Sequence, residues 1–301
     1  MGIQIVSSAG GAVRLGTRLG NQRREDYLLA MTIARLDDRA VLAISGPDAR
    51  GFLQGLITND VARLGENAPL YAALLTPQGK ILFDFLLFAD GEGVLLDCEA
   101  GTCEAVRKRL SMYRLRAKVE IAPRDDLAVF ATWGESDGLP APAADDPRLA
   151  ALGRRTILQK DSIARTGDAK AYLLHRLELG VPEGADFGQD RIFALDGDLD
   201  ELHAIAFDKG CYVGQELTAR MKHRGTARKR LLSVSAVEGA LLPARDTSVT
   251  ANGRELGTLA SCYGGDGFAL IRLDRLGEAV DEPLDAGRTR VKVTKPLWLF
   301  A

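Results

Sequence analysis

Asp208-Lys209-Gly210-Cys211-Tyr212-Val213-Gly214-Gln215-Glu216 sets a lysine, a cysteine, a glutamine and a glutamate close together and separates them with two glycines. Glycine opens backbone conformations closed to other residues and lets a ligand approach the chain closely. The next stretch, Gln215 to Arg224, reads as a short helix: Leu217 and Met221 share a face, Lys222, His223 and Arg224 fill the last turn, and Gly225 ends it. Cys211 is thus predicted just ahead of a helix N-terminus and two residues from an ammonium, and both features favour a thiolate. The same spacing also suits a buried structural cysteine in a tight turn, and spacing alone leaves both readings open.

With 301 residues the chain is too long for one ordinary core, so two or three domains are expected. Hydrophobic residues make up 46% and charged residues 27%, with a net charge of −2. This near-neutral balance argues against a dedicated nucleic-acid binder. Charge is uneven locally: Lys209 to Arg230 holds seven Lys or Arg against the single acid Glu216, a cluster that attracts anions. No apolar run is long enough to cross a membrane. Met1 to Asn21 lacks the apolar core of a secretory signal. The four cysteines, Cys98, Cys103, Cys211 and Cys262, form no Cys-x-x-Cys pair or disulfide framework, which points to a reducing cytoplasm. His175, His203 and His223 show no metal-ligand spacing, so no zinc or iron site held by this chain alone is expected, which leaves Cys211 free to join a transient, shared one.

Along the chain, Val41 to Ile44 reads as a strand. Pro47 opens a helix through Phe52, Leu53 and Leu56 that ends near Thr58-Asn59-Asp60. Tyr71 to Thr76 and Lys80 to Phe88 are strands joined by Pro77-Gln78-Gly79, a hairpin signal. The second of them is apolar on both faces except for Asp84, which either meets solvent at a bend or is held in a pocket. Val94 to Asp97 is a strand and Thr102 to Met112 a helix. Val119 to Ala122 and Leu127 to Thr132 read as strands of a second unit, Gly138 to Pro147 as an exposed loop, and Asp168 to Leu179 as a helix closed by Gly180. From Lys229 the pattern changes to short strands, with a two-residue hairpin turn at Asn252-Gly253. Such a run indicates a small barrel, with Trp298 and Phe300 closing its core.

The stretch Lys209 to Glu216, with Leu217-Thr218-Ala219-Arg220 behind it, resembles the signature of the YgfZ family. These folate-binding proteins are related to the T-protein (aminomethyltransferase) of the glycine cleavage system and help assemble or repair iron–sulfur proteins. Ser45 to Val61, Leu75 to Ile81 and Tyr113 to Val119 look like the N-terminal part of the same superfamily. The resemblance implies an α+β, T-protein-like fold: ferredoxin-like units around a central cavity plus a C-terminal small β-barrel, divided as 1–118, 119–228 and 229–301. It implies a cavity that holds tetrahydrofolate, polyglutamylated or not, with the cysteine motif facing it. Arg176-Leu177-Glu178 resembles the segment whose glutamate holds the pterin. Asp84, Arg176, Glu178, Asp196, Gln215, Glu216 and Arg220 are the expected folate contacts, with Asp196 standing where relatives carry a glutamate. Cys211 and Lys209 are the expected reactive pair, and Cys98, Cys103 and Cys262 are expected to be structural. Phe83 stands where T-proteins carry an acid, which argues against glycine-cleavage activity. The expected role is therefore assembly or maintenance of iron–sulfur client proteins. Two alternatives are a folate-dependent one-carbon transferase and an enzyme of thiol chemistry.

Overall fold

In a computed structural model describing residues 32–134, 143–225, 228–280 and 282–300, the apolar run after the first hairpin becomes the spine of a five-stranded antiparallel sheet. Its strands are β2 (Arg39–Ser45), β3 (Leu70–Leu75), β4 (Ile81–Asp90), β5 (Gly93–Glu99) and β6 (Glu120–Pro123), in the order β3-β4-β5-β2-β6. Side chains alternate across a pleated strand, and here both faces find a core. Phe83, Phe85 and Leu87 join Leu42, Ile44, Leu74 and Leu96 on the face covered by helices α1 (Ala49–Gln54) and α2 (Cys103–Tyr113). Ile81 and Leu86 join Val41, Tyr71 and Ala73 on the other face, packed against the second sheet and helix α3 (Ala169–Leu179). Covering both faces explains why β4 reads as continuously apolar. Asp84 is buried on this strand, held in a pocket as one of its two predicted placements allowed.

The second sheet runs β1-β7-β9-β8, built from β1 (Thr32–Arg35), β7 (Leu127–Trp133), β8 (Ala144–Asp145) and β9 (Arg154–Gln159). Two pairings cross the 118/119 line drawn from sequence. Glu120–Pro123 pairs with β2 in the first sheet, and Thr32–Arg35 pairs with β7 in the second. Both are four-residue edge strands whose partners lie far along the chain, so local pattern carries no sign of their sheet. The first helix is shorter than predicted, ending at Gln54, and a 3-10 turn at Val61–Arg63 follows. Of the predicted loop Gly138 to Pro147, residues 138–142 lie outside the described residues, and Ala144–Asp145 pairs with β9. Helix α3 matches its prediction, with Asp168 capping its N-terminus through Ala171 N at 2.9 Å and Gly180 ending it at φ 69°.

The third part is a closed six-stranded barrel, β10 (Lys229–Ala236), β13 (Asp266–Arg272), β12 (Arg254–Tyr263), β11 (Ser248–Ala251), β14 (Leu284–Ala286) and β15 (Thr289–Thr294), with β15 returning to β10. Closure removes free edges. Asn252 and Gly253 turn the β11–β12 hairpin at φ 47° and 79°, as a primed turn requires. A short helix, Leu273–Glu278, follows β13. Trp298 packs into the core and donates to Leu179 O at 2.9 Å. Phe300 does not close the core as expected. It is half-exposed, with Arg230 and Lys295 over its ring at 5.2 and 4.5 Å, while Leu299 takes the buried position.

Candidate functional site

The motif loop ends in a helix over Gln215–Arg224, here α4, as predicted. Gly214 precedes it at φ 83°, with its α-carbon face against the β3–β4 hairpin. Tyr212 is buried beneath the loop and Val213 packs on the helix-covered face of the first sheet. Cys211, just before them, is exposed, whereas Cys98 is buried and Cys103 and Cys262 are half-buried. The loop thus turns its cysteine outward while its neighbours anchor it. This differs from the expectation that the motif faces a central cavity, and Cys211 lines none of the three cavities described below.

Lys209, expected to supply positive charge beside Cys211, commits its ammonium to the backbone of the first unit. Its side chain is buried and its Nζ donates to three backbone carbonyls, Gln54 O at 2.8 Å, Ile57 O at 2.8 Å and Asn59 O at 2.7 Å. Those carbonyls belong to the end of α1 and the turn after it, so the ammonium ties the motif loop to the first unit. Burial pulls its pKa down to about 8. Its ammonium also lies 5.3 Å from the centre of the Tyr212 ring. Lys209→Met removes all three donors and leaves buried carbonyls unsatisfied, at roughly 1–3 kcal/mol for such a loss. Urea unfolding is expected to show that drop in midpoint, and an unchanged midpoint would reject the anchoring role.

Between the sheets lies a buried ionic network that sequence reading missed. Asp97 Oδ1 accepts from Arg39 Nε at 2.6 Å and its Oδ2 from Arg155 Nε at 2.7 Å. Arg155 and Arg148 both donate to Tyr172 OH, at 3.1 and 2.7 Å. Arg148 continues to Asp146 at 2.7 Å and to Glu183. Arg176 Nη1 pairs with Asp186 Oδ2 at 2.6 Å, and Asp186 Oδ1 accepts from Ser261 Oγ and Tyr263 OH of the barrel at 2.5 and 2.8 Å. The network therefore joins both sheets, α3 and the barrel. Despite burial, which pushes it up, the surrounding arginines hold the Glu183 carboxyl well below the usual range. Among the described residues, no cation pairs directly with Asp84. Its oxygens accept from Tyr71 OH and Gly184 N, both at 2.9 Å, and burial pushes its pKa up.

Two cavities adjoin this network. One of about 210 Å³ touches Asp84, Phe83, Thr102 and Arg245; the other, about 260 Å³, touches Arg39, Arg176, Glu183 and Tyr263. Glu99, Gly184 and Ala185 line both. A third, about 380 Å³, lies between Tyr71, His203, Phe207 and Lys222. The residues expected to bind folate do not converge on any one of them. Asp84 and Arg176 line different cavities, and both already have hydrogen-bond or ionic partners. Glu178 is exposed on α3 and lines none of these three cavities, and the buried carboxylate nearby is Glu183. Glu216 and Arg220 are exposed and pair with each other at 2.6 Å across one helical turn, and half-buried Gln215 begins the same helix. Asp196 is buried near Lys229 and Arg230, and burial pushes its pKa up to about 6. As a set these side chains do not fit tetrahydrofolate.

Comparison with known proteins narrows the resemblance. Residues 228–301 match the family model described as CAF17, C-terminal beta-barrel domain. The chain is 34% identical over 285 residues to the mitochondrial iron–sulfur cluster assembly factor IBA57 of Mus musculus, covering 82% of this chain and 79% of that protein. It is 34% identical over 277 residues to the Homo sapiens factor of the same name, covering 80% and 78%. The aminomethyltransferase T of the glycine cleavage system from Bartonella henselae superposes with a TM-score of 0.72 over 92% of this chain and 88% of that one, at 16% identity, a likeness of fold. The mitochondrial relatives overturn the expectation of a cytoplasmic protein that cysteine usage suggested, since a reducing interior is not unique to one compartment. The aminomethyltransferase-like fold, the barrel and these relatives lead to one assignment: the chain belongs to the family of the iron–sulfur cluster assembly factor IBA57.

Proposed function

We propose that the chain acts in the assembly of iron–sulfur proteins by presenting Cys211 to a partner protein as an outward-facing sulfur ligand. The observation that carries this reading is the exposure of Cys211 on a loop otherwise held down by buried Lys209 and Tyr212. Thiolate is a soft ligand suited to iron–sulfur clusters. In the proposed step Cys211 gives up its proton and donates a sulfur lone pair to iron of the cargo, with no change in oxidation state. The basic side chains that follow it, Arg220, Lys222 and Arg224 on α4 with Arg228 and Lys229 beyond, give the face offered to the partner a positive character. Partners are thus iron–sulfur assembly or client proteins. Tetrahydrofolate takes no step in this reading, and one-carbon transfer is not favoured by any cluster of side chains described above.

Cys211 is expected to be alkylated by a mild thiol reagent at neutral pH at least ~10-fold faster than buried Cys98, since reaction requires an accessible thiolate. In a deletion strain, wild-type protein is expected to restore iron–sulfur enzyme activities and Cys211→Ala to fail, at equal protein level. Full rescue by Cys211→Ala would sink the proposal.

A further inference from the structure

Helix α2 ends in a face that the proposed assembly role does not use. From Ala105 to Val119 the chain carries six Lys or Arg and no acid. The inner side of the helix is ordinary, with Val106 and Leu110 fully buried in the core beside the first sheet. Its end is not. Met112 is 69% exposed and Leu115, three residues on, is 89% exposed. Three residues span at most about 11 Å, so both apolar side chains stand at one tip. A turn holds Leu115 there: Arg114 O accepts from Ala117 N at 2.7 Å, which places Leu115 and Arg116 at the centre of a β-turn. Leu115 has φ 42°, a left-handed conformation that glycine or asparagine adopts far more readily. The turn is fastened on both sides, by Arg114 N on Ser111 O at 3.2 Å and by Lys118 N on Asp48 Oδ2 at 2.7 Å. A bulky apolar residue kept both strained and in water points to a contact made outside the chain.

The cations around the tip are free to meet that contact. Among the described residues, Arg109, Arg114, Arg116 and Lys118 pair with no carboxylate. Glu104, the acid before them, is taken by Arg107 at 2.7 Å and Lys108 at 3.7 Å. Glu120, the acid after them, begins β6. The Arg114 guanidinium reaches a backbone carbonyl, Val119 O, at 3.4 Å. Arg109 lies one turn before Met112, on the same side of the helix. The tip protrudes, and none of the three cavities touches it. A stable protein interface needs about 800 Å² from each partner and is anchored by large side chains seated in pockets. Two aliphatic side chains in a ring of cations offer neither. An anionic lipid surface requires neither, since its headgroup layer yields to a protruding apolar residue and its phosphates meet Lys and Arg.

We propose that the end of α2 and its turn, Met112 to Lys118, form a contact site for an anionic lipid surface. Leu115 and Met112 enter the headgroup layer, and Arg109, Arg114, Arg116 and Lys118 meet the lipid phosphates around them. The contact is peripheral and reversible, because two apolar side chains and a few cations anchor a protein only weakly. It uses a different element from the Cys211 loop and α4.

The test sediments the full chain with vesicles of phosphatidylcholine, alone or mixed with phosphatidylglycerol. Wild type is expected to bind the anionic vesicles at least ~10-fold more tightly than the neutral ones, and less as salt is raised. Leu115→Asn keeps the turn, because asparagine accepts a positive φ. It is expected to weaken binding about 5-fold at an unchanged or higher urea midpoint. Arg116→Ser combined with Lys118→Ser is expected to weaken binding ~10-fold. Arg224→Ser on α4, the other basic face, and Cys211→Ala are expected to bind as wild type does. Equal binding to both vesicles, binding to neither, or binding unchanged in Leu115→Asn or in the double variant would overturn the proposal. Binding to poly-glutamate in place of anionic vesicles would assign the face to an acidic protein and overturn it too. Rescue of iron–sulfur enzymes by Cys211→Ala is a separate readout, so this proposal and the assembly role fail independently.

Discussion

Asp97→Ala is expected to lower folding stability by about 3–5 kcal/mol, the cost of breaking a buried pair by removing one partner. The side chains of Arg39 and Arg155 are 3% and 0% exposed, and each places its Nε on a different oxygen of the same carboxylate. Removing it leaves two buried cations side by side without the carboxylate that they share. A loss of that size is a large share of the 5–15 kcal/mol typical of a folded protein. Urea denaturation is the measurement, with a lower midpoint at unchanged slope. A loss under ~1 kcal/mol would mean that the network is not what holds the two sheets together. Replacing all three residues by apolar ones of similar size is expected to cost much less, which separates an unpaired charge from a packing defect.

The same network sets an acid limit. Glu183 is held below its unfolded value by Arg176, Arg148, Arg39 and Arg155 against the pull of burial. A depressed carboxyl contributes stability that is present above the unfolded value, near pH 4.5, and is lost as pH falls toward the folded one. Glu183→Gln is therefore expected to lose stability at pH 7 and to show a shallower fall between about pH 5 and 2, seen by denaturant unfolding across that range. Retention of the wild-type acid slope would show that another group sets it.

What the sequence revealed, and what it hid, follows from the range of the interactions. The hairpin at Pro77-Gln78-Gly79, the α3 and α4 boundaries, and the Asn252-Gly253 turn are local, and each was read correctly from neighbours in the chain. β14 escaped notice because Leu284–Ala286 is too short to show a period. The ionic core was hidden for a different reason. Arg39 opens a strand and Arg155 sits near the start of another, where a charged residue ordinarily meets solvent. Only the stacking of two sheets, with partners 58 residues away in both cases, buries them. Glu178 shows the converse. Its place after Arg176 and Leu177 matched a folate segment, but helical geometry turns Arg176 inward and Glu178 outward. The barrel and the cysteine motif were legible as family pattern, yet the outward direction of Cys211 depends on where Lys209 and Tyr212 are anchored.

That anchoring predicts opposite fates for the two glycines of the motif. Gly214→Ala is expected to cost on the order of 3 kcal/mol, from left-handed strain in a non-glycine residue together with overpacking. At φ 83° an added Cβ would lie 2.5 Å from Thr76 O, 2.8 Å from Leu75 Cβ and 3.2 Å from Gly79 Cα. Two of these three atoms are backbone of the β3–β4 hairpin and its turn, so no flexible side chain can swing aside to relieve the clash. Gly210, next to the cysteine, has no positive φ and nothing within 4 Å of an added Cβ. Gly210→Ala is therefore expected to be neutral or to stabilise by up to about 1 kcal/mol through the unfolded chain. Beyond stability, the loop displaced by Gly214→Ala carries Cys211, so its alkylation rate and its rescue of iron–sulfur enzymes are expected to change together, while Gly210→Ala keeps both. Paired unfolding and labelling of the two variants decide the matter. Equal stabilities would show that the loop is not seated on the hairpin. A displaced loop with intact rescue would show that Cys211 needs exposure alone and not a fixed position.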